Sequence, residues 1–327
     1  EGKTNLLEAL AWLATLSSFR GAPTEALVRQ GSPFAIVRAL AERDGRELLV
    51  EAQLQPSGRN RVLVNRQPLR RARDLIGSLQ VTVFTPDDLE IVKDGPGERR
   101  RFLDDALVAL HPRNDALRAD VDKILRQRNA LLKQAGGRLD EGAAFTLDVW
   151  DDKLAAAGEA LAAARTDLLD RMRPVLAATY GTLAREPAEV TARYDAPWRD
   201  TGLAAALAAA RALDVRRGVS TVGPHRDDVV LAVEGAPART YASQGEQRTL
   251  ALALRLAVHR VVTVACGSPP VLLLDDVFSE LDPDRSAALL AHLPVGQTLL
   301  TTASGLPPGA EPDVVLRLAG GTIAPAD

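Results

Sequence analysis

The sequence predicts an α/β fold, a mixed sheet with an antiparallel β-lobe, interrupted by an inserted helical hairpin. Three observations carry this. Val271-Leu272-Leu273-Leu274 is an apolar run closed by Asp275 and Asp276, the pattern of a buried strand that delivers carboxylates to a crevice. Short β-type runs punctuated by turn residues occupy Ala35 to Val83. Between these two regions lie two long stretches of helical periodicity.

Taken in order, the chain opens on Glu1-Gly2-Lys3-Thr4-Asn5 and passes into Leu6, Leu7, Ala9, Leu10 and Leu13, an apolar helix face. The runs Ala35 to Leu40, Leu48 to Leu54, Arg61 to Val64 and Leu79 to Phe84 are separated by Asp-Gly, Pro-Ser-Gly and Asn turns and read together as the antiparallel lobe. Helical periodicity follows over Arg99 to Leu110 and Pro112 to Gln134, where Leu117, Val121, Ile124, Arg128 and Leu131 form a heptad-like seam. Gly136-Gly137 ends that helix. A second long helix, Phe145 to Tyr180, puts Leu147, Trp150, Leu154, Leu161, Leu168, Met172 and Val175 on one stripe, so the two are expected to pair antiparallel. Thr201 to Leu213 is an alanine-rich third helix, and Val229 to Val233 is strand-like. Boundaries near Arg99 and Gly218 give a first part, 1–98, a helical insertion, 99–217, and a second part, 218–327.

Composition narrows the class. With 327 residues and 46% apolar side chains, two or three units around a sizeable core are possible. The single cysteine, Cys266, excludes a disulfide framework and a Cys-rich metal site, and fits a cytoplasmic location. Charge or proline breaks the apolar runs before the ~18 residues of a membrane span, so no membrane partner is expected. A net charge of −3 leaves room for a local basic patch.

Chemistry concentrates in ordered motifs. Asp275 is expected to hold a Mg²⁺ shell through water, and Asp276 to orient and deprotonate an attacking water. Ser243-Gln244-Gly245-Glu246-Gln247 opens a helix, where a hydroxyl and unpaired backbone N–H groups suit a phosphate. Ser279-Glu280-Leu281-Asp282 follows the acid pair, and Gln297 to Thr302 is another apolar strand, ending in Thr301-Thr302. Gly2, Lys3, Thr4 and Asn5 read as the second half of a phosphate-binding loop, with Lys3 on the β- and γ-phosphates and the Thr4 hydroxyl on Mg²⁺. A strand and a first glycine belong upstream of such a half-loop, so a few tens of residues are expected to precede Glu1.

In this order and spacing the motifs resemble the P-loop, signature, Walker B and D-loop of ABC-type and SMC-like ATPases. The resemblance implies an ABC/SMC-type P-loop ATPase head using ATP and Mg²⁺, with Lys3 and Asp276 as the catalytic pair. It implies an ATP sandwich, in which Ser243 and Gly245 cap the γ-phosphate held by a second subunit and Asp282 crosses the interface. Thr302 stands where a switch histidine is usual. An ABC transporter nucleotide domain shares these motifs, and a DNA-binding scaffold with an inactive ATP site is the non-enzymatic alternative. The long helical insertion and Asp276 in place of the usual glutamate argue against the transporter.

Further stretches are more selective. Pro86-Asp87-Asp88-Leu89-Glu90-Ile91-Val92-Lys93-Asp94-Gly95-Pro96, continuing through Arg99-Arg100-Arg101-Phe102-Leu103-Asp104, is similar to a characteristic segment of the RecF family, as is Leu273 to Leu289. Gln127-Arg128-Asn129 and Gly223-Pro224-His225-Arg226-Asp227-Asp228 look like hallmarks of the same family. Asp94 departs from its usual glycine. The resemblance implies slow DNA-dependent ATP hydrolysis, an ATP-dependent homodimer on duplex DNA and single-strand/duplex junctions, partnership with RecO and RecR, and help in loading RecA at single-strand gaps. Pro86-Asp87-Asp88 occupies the Q-loop place without a glutamine, so either Asp87 or Asp88 serves there or the segment is an ordinary Asx turn. His225 and Arg226 face nucleotide or partner, or His225 is a buried structural residue.

DNA contact requires clustered cations. Arg59, Arg61, Arg66, Arg70, Arg71 and Arg73 lie in a segment, Gly58 to Arg73, that holds no acid. They are the expected DNA site, with Arg99, Arg100 and Arg101 as the second candidate.

Overall fold

A computed structural model of the chain describes residues 2–43, 45–303 and 305–325. In chain order the first elements are α1 (Lys3–Thr15), β1 (Ala35–Arg43), β2 (Arg46–Leu54), β3 (Arg61–Val64), β4 (Gln67–Pro68) and β5 (Val81–Phe84). The helical block follows as α2 (Glu90–Lys93), α3 (Pro96–Leu110), α4 (Asp115–Gln134) and α5 (Glu141–Ala184). Then come β6 (Val190–Asp195), α6 (Leu203–Arg217), β7 (Asp228–Val233), β8 (Ala236–Pro237), α7 (Ala238–Tyr241) and α8 (Gln244–Cys266). The chain closes through β9 (Val271–Asp275), α9 (Pro283–Ala291), β10 (Thr298–Thr301), β11 (Leu316–Ala319) and β12 (Thr322–Pro325).

Two compact units share this chain. The first holds residues 1–88, 182–185 and 252–327, and the second 89–181 and 186–251. These limits differ from a division at 98/99 and 217/218. The strand after Gly218 is the reason, because β7 pairs antiparallel with β6 along its whole length, from Val190↔Val233 to Asp195↔Asp228. That ladder ties residues 228–233 to the helical block. The β6 strand itself went unanticipated, although Val190, Ala192 and Tyr194 alternate with polar neighbours.

In the first unit β1 to β4 form the antiparallel lobe, in the order β1-β2-β3-β4. Its inward residues Val50, Ala52, Leu54 and Val62 pack with Trp12 and Leu13 of α1. Residues 81–84 do not belong to it, contrary to expectation, although Leu79 still packs against its core. Gly77, at φ 91°, turns the chain out of the lobe, and β5 instead pairs parallel with β9. The central sheet runs β10-β9-β5, all parallel. Leu272, Leu273 and Leu274 are at most 1% exposed, which is why this strand reads as an unbroken apolar run: a central parallel strand is covered on both faces. Leu7 and Ala11 of α1 pack on Leu273, and each fully buried leucine contributes about 1.5–3 kcal/mol.

In the second unit the buried seam of α4 is Val121, Leu125, Arg128 and Leu132. Ile124 and Leu131, expected in it, are only half-buried, because the 4-3-4 spacing selects the next residue round the helix. The stripe on α5 is closer to expectation, with Leu147, Leu154, Leu161, Leu168 and Met172 all buried and Trp150 and Val175 half-buried. Leu132 and Leu147 share one cluster and Arg128 bonds Asp151, so α4 and α5 run antiparallel there. With 44 residues α5 is roughly 66 Å long, beyond the 23 residues of α8.

Among the described residues α8 alone is long and apolar enough, by composition, to cross a membrane. Two-thirds of that stretch is buried inside the protein, as in a core helix.

Candidate nucleotide-binding site

Helix α1 begins at the half-loop. Gly2 caps it at φ 92°, a left-handed backbone that favours glycine, and a Cβ there would stand 2.9 Å from Leu318 Cδ2. Glu1, which opens the motif, lies outside the described residues. Thr4, in the first turn, donates its hydroxyl to Asp275 Oδ1 at 3.0 Å, across 271 residues of sequence. Lys3 is half-buried and Asn5 exposed.

Asp275 ends β9 at the carboxyl edge of the parallel sheet, where open α/β sheets bind ligands. It is 6% exposed. Register supplies a second donor. Thr301 of β10 lies opposite Asp275, and its hydroxyl donates to the same Oδ1 at 2.6 Å. The Thr301 carbonyl and hydroxyl oxygens each stand 3.2 Å from the Asp276 N–H. Asp276 follows at φ 51°, a conformation aspartate tolerates, and turns its carboxylate out of the strand toward the N–H of Ala303, at 3.4 Å. Thr302, the expected switch-position residue, instead donates its hydroxyl to the Gly305 carbonyl at 2.7 Å. The hydroxyl against the acid pair is therefore that of Thr301, which sequence reasoning passed over because register between distant strands has no local signature.

Thr4 and Asp275 suit Mg²⁺. Magnesium takes one or two protein oxygens and completes its shell with water and phosphate oxygens, so no cluster of acids is required. Among the described residues no group of three His, Cys, Asp or Glu side chains that could hold a metal occurs.

Glu8, one turn beyond Thr4, is 3% exposed and paired with Arg20. Arg20 also donates to Asn5 Oδ1 at 3.0 Å. Its bond to Glu8, and more weakly the charge of Asp275, raise its pKa further. This brace was invisible in the sequence.

Asp88 resolves part of the Q-loop question. It accepts from the Thr85 N–H at 3.0 Å and from Arg255 at 2.9 and 2.6 Å, so it serves as a turn cap and ion-pair partner, whereas Asp87 is exposed. Asp282 caps α9, accepting from the Arg285 N–H at 2.8 Å, and that bond with the Arg285 charge lowers its pKa.

The signature residues lie in the second unit, where α8 starts. Ser243 and Glu246 form a reciprocal capping box: the Ser243 N–H donates to Glu246 Oε2 at 2.7 Å and the Glu246 N–H to Ser243 Oγ at 3.3 Å. A hydroxyl that accepts one bond keeps its proton, so Ser243 can still donate to a phosphate oxygen. Gly245 follows in the first turn of the helix, half-buried.

All six expected DNA-site arginines, Arg59, Arg61, Arg66, Arg70, Arg71 and Arg73, are exposed on β3 and the loops beside it. Arg71 is paired with Asp74 at 3.0 Å. Among the second candidates Arg99 is only 6% exposed and bonds Asp228 at 2.7 and 3.0 Å, so it holds the fold together.

His225 is structural too. Its Nε2 lies 3.1 Å from the Ser220 carbonyl, and burial holds its pKa down at about 4. Ser220 is in turn gripped by Arg128, at 2.8 Å, and by Asn129, at 2.7 and 2.8 Å. The two hallmark stretches are thus one bonded assembly.

No family model matches the chain. The curated DNA replication and repair protein RecF of Kineococcus radiotolerans is 43% identical over 330 residues, covering 93% of this chain and 84% of that protein. RecF of Frankia alni is 43% identical over 338 residues, covering 98% and 88%. The solved structure of the recombination mediator protein RecF-ATP of the RecFOR pathway matches with a TM-score of 0.87 at 29% identity, over 100% of this chain and 90% of that one. An SMC head bound to the C-winged helix domain of ScpA matches with a TM-score of 0.53 at 13% identity, over 99% and 86%, a likeness of fold alone. With two-fifths of its residues identical over nearly its whole length, and its hallmark stretches joined in the folded unit, the chain belongs to the RecF family of DNA replication and repair proteins.

Proposed function

We propose that this chain is a cytoplasmic ATP-driven DNA clamp: ATP joins two copies on duplex DNA or a single-strand/duplex junction, and slow, DNA-dependent hydrolysis releases them. Acting with RecO and RecR, it helps load RecA at single-strand gaps. The contact between Thr4 and Asp275 supports this best, because it brings the half-loop and the acid strand to one point. When bound, ATP supplies the phosphoryl group and Mg²⁺ neutralises its developing charge. Lys3 lays its charge along the β- and γ-phosphates, while Thr4 and Asp275 hold the metal shell. Asp276 takes the proton of the attacking water. Ser243, Gly245 and Asp282 act on the ATP of the other copy. Thr301 keeps Asp275 in place, and Thr302 stands next to it.

Asp276→Asn tests the reading. Hydrolysis is expected to fall by roughly 10² or more, the value of a positioned base. ATP binding is retained and sedimentation shows a persistent ATP-bound dimer. Turnover at the unaltered rate would remove Asp276 from the mechanism.

A further inference from the structure

The three successive arginines of α3 go three ways. Arg99 is locked on Asp228. Arg101 is exposed and pairs with Glu98 at 2.7 Å. Arg100 is half-buried and donates to a neutral acceptor, the Asp227 carbonyl, at 2.6 Å. The two carboxylates whose charge acts on it are engaged elsewhere. Asp227 accepts from Tyr194 and Trp198, both at 2.7 Å, and Asp228 from Arg99. Burial, then the charge of Arg165, lowers the pKa of Arg100. A half-buried guanidinium bonded only to a carbonyl keeps several N–H donors free, and these suit an anion.

Arg100 borders a cavity of about 230 Å³ inside the second unit, between α3, α4, α5 and the turn at Pro224. Arg118 and Arg165 line it as well, with Arg101, so four guanidinium groups face two carboxylates, Asp104 and Asp122. Asp104 is already neutralised by a two-pronged bond from Arg165, at 2.8 and 2.9 Å. The Arg118 pairings, 3.5 Å to Asp105 and 3.9 Å to Asp115, are longer than the roughly 2.7–2.9 Å of a strong charge-assisted bond. Arg118 can therefore turn inward at little cost. His225 forms part of the wall, and its Nδ1 is buried without a partner. With Nε2–H committed to the Ser220 carbonyl, a neutral ring presents Nδ1 as an acceptor; a bound anion would favour a proton there and make it a donor.

We propose that this cavity is an oxyanion site that takes a phosphate group, held by Arg100 and Arg118 with Arg165 and His225 as its wall. Its volume, about 230 Å³, holds a phosphate and its waters, and anything larger attached to that phosphate extends out through the open side. The phosphate is therefore inorganic, or the terminal monoester of a strand whose remainder stays outside.

Two measurements on the whole chain decide this. Lys3→Ala is used as background, removing the cation of the nucleotide half-site. Crystals soaked in tungstate, an anomalous scatterer of phosphate shape, should show a peak against Arg100 and Arg118. Calorimetric titration with inorganic phosphate should weaken about tenfold or more in Arg100→Gln and in Arg118→Gln, the loss expected for one charge-assisted bond. Arg126→Gln, exposed on α4 and not part of the cavity lining, should leave it unchanged. Should Arg100→Gln fail to fold, the half-exposed and loosely paired Arg118 decides alone. Competition by a 5′-phosphorylated oligonucleotide but not its 5′-hydroxyl twin identifies a strand end; competition by neither identifies the free ion. Absence of tungstate from the cavity, or phosphate affinity unchanged in both variants, would overturn the proposal.

Discussion

His259 of α8 places its Nδ1 3.1 Å from the Thr82 hydroxyl, while its Nε2 is buried without a partner. Burial, with a smaller contribution from Arg260, holds its pKa at about 4. Below an unfolded value near 6.5 the unfolded chain takes up a proton that the folded one refuses, so stability is lost as pH falls from about 6.5 to 4. The ring accounts for on the order of 3 kcal/mol of that loss. His259→Leu should flatten the fall of the urea-unfolding midpoint across this window, and an unaltered slope would absolve the ring. The same scale shows what single residues disclose. Asp275, Asp276 and Thr4 were legible because acids at the end of an apolar strand, and a hydroxyl at the start of an apolar helix, carry their chemistry in local order. Thr301 was not, since its bond to Asp275 is made by strand register, and neither was the pairing of Glu8 with Arg20.

Among the elements, α4 places an arginine where a coiled seam ordinarily has an apolar residue. Arg128 is 0% exposed and bonds Asp151 and Asp214, each at 2.7 Å. Helical periodicity revealed its inward face and left its partners unread, because Asp214 on α6 and Ser220 just after it lie more than eighty residues further along the chain. Breaking such a pair strands a buried charge. Arg128→Leu should therefore destabilise the helical unit by about 3–5 kcal/mol, and Arg128→Leu with Asp214→Leu should recover part of it. Denaturation followed by the fluorescence of Trp150 and Trp198 reads this out; equal losses in the single and double variants would mean that the ion pair is not the source. At the start of α8, Ser243→Arg should abolish ATP-dependent dimerisation while sparing nucleotide binding by the monomer. A dimer of Ser243→Arg in sedimentation would rule out the sandwich.

At the scale of the molecule, the order of motifs foretold the class of fold, and the boundaries between its units were harder, since they depend on β6 pairing with β7 rather than on any change of composition. The exposed arginines of the lobe set the expected response to salt. Replacing Arg59, Arg61, Arg70 and Arg71 with alanine should weaken duplex binding and lower the slope of log affinity against log salt by about 0.9 for each phosphate no longer neutralised. An unchanged slope would put the DNA elsewhere. The interleaving of the two units also has a temporal meaning. Every residue of the helical unit precedes Leu252, whereas the first unit needs residues on both sides of it. At roughly 5–20 residues per second on a ribosome, the helical unit can close while β5 still waits for β9 and β10 to be made. During that interval Leu7 and Ala11 of α1, and the edge of β5, have no Leu273 to cover them. The nascent chain therefore carries its nucleotide half-loop on an unfinished sheet, and it is there that a holding chaperone would find its surface.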